Sequence, residues 1–178
     1  MFTQQGFLVC SLAAFLTAAA ARAETLEKLI DERICDVVER LDLIRASPGR
    51  TDGLNRYLIV SPKDDPNQYV QCKFVDRDRR MRCEVASGFY LSKAEAPRRY
   101  FLSPDRIDAI ARLGFSTDGS AGNFQREIAT PDARAHTNAG KLILTALHAA
   151  FSIRQSTPLE FTTSILFDKS FARCRSIS

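Results

Sequence analysis

The chain contains no tryptophan, and only two of its 178 residues are histidines, His136 and His148. No two cysteines stand in a C-x-x-C pair. That absence removes the thioredoxin-type redox motif, and with so little histidine it leaves zinc without a recognisable ligand set. Glycine is missing where nucleotide chemistry would need it. Gly140-Lys141 has no glycine-rich loop ahead of it, so there is no phosphate loop. Gly119-Ser120-Ala121-Gly122 lacks the glycine two places before the serine that a nucleophile elbow requires. There is no internal repeat and no low-complexity tract.

Long apolar runs are equally scarce. The longest, FLVCSLAAFLTAAAA at 7–21, is 15 residues, short of the roughly 20 that a membrane-spanning helix needs. It ends in Ala21-Arg22-Ala23, the small-x-small form that signal peptidase reads. The flank MFTQQG carries no Lys or Arg, so its only positive charge is the α-amino group. Val9 precedes Cys10 in mid-run, which excludes a lipoprotein signal. The expectation is a cleaved signal peptide at 1–23 and a single α+β domain at 24–178, periplasmic or secreted, without stable membrane insertion. Removing 23 of the 178 residues leaves 155, enough for one domain with a real core. Of the 25 basic residues only Arg22 is lost with the leader, so against 21 acidic residues the mature net charge is +3. Such a mild excess does not imply nucleic acid as a partner.

Four cysteines remain in the mature chain: Cys35, Cys72, Cys83 and Cys174. An even count in an exported chain reads as two disulfides with three open connectivities. The segment 68–87 narrows the choice. Val70, Cys72 and Phe74 alternate with polar residues, and after DRDR so do Met81, Cys83 and Val85. Two strands joined there pair Phe74 with Met81, Cys72 with Cys83, and Val70 with Val85, all on one face. The cysteines then meet at a non-hydrogen-bonded position, within disulfide reach. Cys72–Cys83 is the preferred bond, which leaves Cys35–Cys174 to tie the first helix to the C-terminal tail.

Other elements follow from periodicity. Leu26, Leu29, Ile30, Ile34, Val37, Val38, Leu41 and Ile44 recur at helical spacing over 25–45. LNRYLIVS at 54–61 reads as a strand, and a short one is expected near 99–102. Ser103-Pro104 opens a second helix that Gly114 stops. NFQREI at 123–128 reads as a strand, 130–153 as a third helix and 159–167 as a last strand. Together these make one antiparallel sheet with about three helices packed on it.

Chemistry is harder to find. His148 shares a helix flank with Lys141, Thr145 and Ser152, opposite the apolar stripe, and is expected at the surface. His136 has no carboxylate or nucleophile at a telling spacing; a deep pocket joining it to a buried carboxylate would argue for an enzyme. The acids Asp64, Asp65, Asp76 and Asp78 fall in turns, which choose Asp for backbone hydrogen bonding. The expectation is a non-enzyme with no cofactor and no catalytic or metal-binding residues. The basic group Lys73, Arg77, Arg79, Arg80 and Arg82, with Arg98 and Arg99 nearby in sequence, has two readings. It is a solvated hairpin tip interspersed with Asp76, Asp78 and Glu84, or Arg77, Arg79, Arg80 and Arg82 meet an anionic partner.

Several local pieces carry a family resemblance: the hairpin CKFVDRDRRMRCEVASGFYL, the helix LSPDRIDAIARLGF with its Leu-Gly-aromatic ending, GNFQREI, and the alanine-rich KLILTALHAAFSI. Over 69–159 the chain resembles the TY-Chap domains, relatives of the type III secretion chaperone-like fold that includes YbjN-type proteins. The resemblance implies a helix-grasp-like α+β domain that handles other polypeptides, often as a dimer. It also implies a mode of binding, in which an apolar surface or an exposed strand edge receives an extended segment. The competing reading is a small exported inhibitor or envelope-stress factor acting on an enzyme or cell-wall component. In that case DRDRR or the STDGSAG loop enters a partner's cleft.

Overall fold

The computed structural model describes residues 8–47, 56–91, 101–120, 122–130 and 132–163. Its first element is the helix α1 (Leu8–Ala46), which runs without a break through the apolar stretch and past Ala23. Among the described residues no helix is long and apolar enough to cross a membrane. Five strands follow: β1 (Tyr57–Pro62), β2 (Val70–Val75), β3 (Arg80–Val85), β4 (Phe124–Ala129) and β5 (Leu159–Thr163). The helix α2 (Pro104–Arg112) precedes β4, and α3 (Ala133–Phe151) lies between β4 and β5.

The sheet is antiparallel throughout, in the order β4-β3-β2-β1-β5. The central hairpin has the register that its alternation predicts, with Val70 opposite Val85, Cys72 opposite Cys83 and Phe74 opposite Met81. All six are buried. Cys72 and Cys83 form a disulfide with Cα atoms 4.0 Å apart. Cys35 on α1 is also disulfide-bonded; Cys174, the partner expected for it, lies outside the described residues.

The buried face of the sheet receives α1 and α3, and α2 packs on α3. Close approach of the two long helices depends on Gly140. A Cβ there would stand 2.8 Å from Ile34 Cδ1 and 3.3 Å from Val38 Cγ2. The opposite face of the sheet carries Gln71, Lys73, Arg80, Arg82, Glu84 and Glu127 beside Tyr57 and Ile59, and among the described residues no helix covers it.

Two boundaries differ from expectation. Phe101 and Leu102 are not in a strand; the rest of the predicted element at 99–102 lies outside the described residues. The third helix starts at Ala133 and not at Thr130, because Thr130 prolongs the sheet ladder. Its N–H donates to Arg79 O at 2.8 Å and its hydroxyl to Asp78 O at 2.9 Å. Asp132 then caps the helix by accepting from Ala135 N at 3.0 Å.

Candidate functional site

At the β2–β3 turn three consecutive non-glycine residues, Asp76, Arg77 and Asp78, have positive φ of 52°, 53° and 65°. L-residues avoid this region because Cβ crowds the carbonyl oxygen, at about 1–2 kcal/mol each. The turn is held by its own charges. Asp76 accepts from Arg79 at 2.6 Å and lies 3.5 Å from Arg80, while Asp78 pairs with Arg56. The Arg79 hydrogen bond, with the charges of Arg79, Arg80 and Arg77, holds the Asp76 carboxyl below its ordinary pKa. Glu127 on β4 receives Arg80 at 2.7 Å and Arg82 at 2.9 Å. Of the four arginines considered for an anionic partner, Arg80 and Arg82 are therefore paired across the sheet and Arg79 within the turn. Arg77 is exposed and has no such pair among the described residues.

The STDGSAG loop is also internally bonded. Asp118 accepts from the backbone N–H of Ser120 at 2.9 Å and from its hydroxyl at 2.7 Å, and these bonds hold the Asp118 carboxyl below its ordinary pKa.

The histidines occupy places that sequence spacing did not show. His136 is buried, with Nδ1 2.5 Å from Asp42 Oδ1 and Nε2 3.4 Å from Arg45 Nη1. Both ring nitrogens therefore have a partner, the Asp42 carboxylate at Nδ1 and the Arg45 guanidinium at Nε2. Its edge packs on Phe74, ring centroids 5.7 Å apart. The Asp42 side chain is 52% exposed, and neither cleft described below reaches His136. His148 is half-buried and not at the open surface, with Nδ1 donating to Ile153 O at 2.8 Å.

Two concave regions exist among the described residues' better-formed clefts. The larger, about 850 Å³, lies between α2 and the end of α3. There Arg106 donates to Ala150 O at 2.8 Å and to Ser152 Oγ at 3.0 Å, closing the C-terminus of α3. The second, about 520 Å³, runs between β4 and α3, lined by Ile128, Ala129, Ala135, Asn138 and Leu142 with Arg126 and Glu127.

The second groove adjoins a free strand edge. Gln125 exchanges backbone hydrogen bonds with Ser116 on the outer side of β4, at 2.7 and 3.3 Å. Backbone groups alternate sides along an antiparallel strand. The N–H and C=O of Glu127 and Ala129 therefore point outward as well, and no described backbone group bonds them. A short run of unpaired backbone beside a groove of mixed polar and apolar lining can accept one more strand, main-chain bonds supplying affinity and the groove receiving alternate side chains. Phe89 and Tyr90 are exposed and in edge-to-face contact at 5.2 Å, and Phe101 is exposed as well.

Sequence reasoning missed this site. NFQREI reads as a strand, but nothing local marks it as one of the two edge strands. Leu142 reads as part of an apolar stripe, without showing that it stands beside an unpaired edge.

A family model described as "T3SS (YopN, CesT) and YbjN peptide-binding chaperone 3", TY-Chap3, matches residues 33–164. That span runs from α1 past β5, across every strand and all of α2 and α3. No curated protein and no solved structure matches the chain.

Proposed function

Because the chain belongs to the TY-Chap3 family of peptide-binding chaperones, we propose that it binds an extended segment of another polypeptide along β4, without catalysis and after export to the periplasm. The observation that carries the reading is the outward backbone of Glu127 and Ala129 beside the groove under Leu142. Export is supported by the apolar leader ending in Ala21-Arg22-Ala23 and by the disulfide buried in the sheet. The family's description as peptide-binding chaperones supports a non-enzymatic role.

Amide hydrogen exchange with a permanently unfolded, carboxymethylated polypeptide tests the binding mode. Added pairing at β4 should slow exchange at the Glu127 and Ala129 amides. Exchange unchanged at both, with the polypeptide demonstrably bound, would place the site elsewhere.

A second reading rests on Arg77, the one unpaired arginine on a strained tip. Strain of this kind collects where a side chain has to be presented. In this reading the protein is a small periplasmic inhibitor or envelope-stress factor whose hairpin tip enters a partner's cleft. Replacing Arg77 with glycine, which suits the backbone there, would abolish that binding; retained binding would dismiss the tip.

A further inference from the structure

Around Cys35, α1 carries a flank of nearly one sign. Asp31, Glu32, Glu39 and Asp42 stand four and three places before the cysteine and four and seven after it, all on its side of the helix. Against them the flank has one base, Lys28, seven places before. Asp31, Glu32 and Asp42 are exposed, and Cys35 is half-buried. Glu32 accepts from Gln155 and Asp42 meets the His136 ring, but no described Lys or Arg pairs with Asp31, Glu32 or Asp42.

Cys35 is disulfide-bonded, and its partner follows by elimination. Cys72 and Cys83 are joined to each other. Cys10 lies on α1 itself, 25 residues earlier, about 37 Å along the axis. A bridge spans only about 4–7 Å between Cα atoms. Cys174 remains, in the stretch 164–178 outside the described residues.

The ends of that stretch set its route. β5 stops at Thr163, and beside it the Arg40 guanidinium lies 3.9 Å over the Phe161 ring. Cys35 is about 8 Å from Arg40 along the helix axis and about 140° around it. The inward side of α1 is filled by Val37, Leu41 and Ile44, all fully buried. A chain going from β5 to Cys35 therefore passes over the outward side, across Glu32, Asp36 and Glu39. The eleven residues from Thr163 to Cys174 reach up to about 36 Å, ample for that path. Their charge is complementary: Lys169, Arg173 and Arg175 stand against one acid, Asp168, and two of these bases flank Cys174 directly.

We propose that the outward flank of α1 is the seat of the chain's own C-terminal segment. Residues 164–174 cross α1 beyond β5, Cys174 bonds Cys35, and Arg173 and Arg175 meet the carboxylates around it. The seat guides the bond as well as being held by it, because opposite charges bring the two thiols together and fix their register. The proposal is independent of the β4 reading, and it closes the α1 flank to other polypeptides while the bond is intact.

Thiol–disulfide equilibrium of the full chain in glutathione buffers tests this. Opening the bridge consumes two molecules of reduced glutathione and yields one glutathione disulfide and two protein thiols. The bridged fraction is read by alkylation and peptide mapping at Cys35 and Cys174. Asp31→Lys/Glu32→Lys, on exposed positions, should lower the closing constant about tenfold, each exposed pair contributing about three- to fivefold. Arg173→Glu/Arg175→Glu should lower it similarly, and the four changes together should recover most of the loss. High salt should narrow these differences, and the buried Cys72–Cys83 bond should not move. A closing constant that neither pair of changes alters, or that the four together lower further, overturns the seat. Recovery of Cys35 as a free thiol, or bonded to Cys10, overturns the strap itself.

Discussion

Arg77 carries the sharpest conflict between local preference and observed conformation. Its φ of 53° is one that glycine adopts freely and an L-side chain resists. Arg77→Gly should therefore raise stability by about 1 kcal/mol, seen as a higher urea midpoint with an unchanged slope. The same change at Asp76 should not, because its carboxylate holds Arg79 and Arg80. A loss of stability in Arg77→Gly would mean that the arginine makes a contact worth more than the relieved strain. His136 illustrates a different limit. Its neighbours Asp42 and Arg45 lie more than ninety residues away in the chain, so no local spacing could show that it is a buried, partnered side chain.

Between elements, the contact of α1 with α3 depends on one missing methyl group. Gly140 lies in the interior of α3, where glycine costs about 1 kcal/mol relative to alanine. The structure keeps it where Ile34 and Val38 would meet a Cβ. Gly140→Leu should destabilise the fold by about 1–3 kcal/mol through overpacking, measured by chemical denaturation. A neutral result would mean that α1 can shift along α3. The alternation of Val70, Cys72, Phe74 and of Met81, Cys83, Val85 was enough to set the hairpin register, because a one-residue slip would turn every apolar side chain out of the core. The end of β4 was less legible. Thr130-Pro131 reads as a helix start, but its ladder bond to Arg79 depends on a strand fifty residues earlier.

For the whole molecule, the leader and the cysteines make a joint expectation. Protein purified from the native envelope should begin at Glu24 and lack the mass of residues 1–23. Non-reducing peptide mapping should recover Cys72 with Cys83 and Cys35 with Cys174. Replacing Cys35 should cost about 2–5 kcal/mol if that bridge closes most of the chain into a loop. A start at Met1, or four free thiols in exported material, would remove the export reading and leave the polypeptide-binding one standing on the family and the groove.

Periodicity and turn chemistry by themselves determined the α+β class, the hairpin register and the three helices, because each depends on residues a few places apart. Tertiary structure alone decided that β4 and β5 are the two edge strands and that α3 lies beside β4. It also decided that Arg80 and Arg82 share Glu127 across the sheet, that Arg79 pairs with Asp76 inside the turn, and that Arg77 has no ion pair among the described residues. Edges, grooves and unpaired charges are properties of what a residue is not next to, and distant parts of the chain settle that only once they have packed.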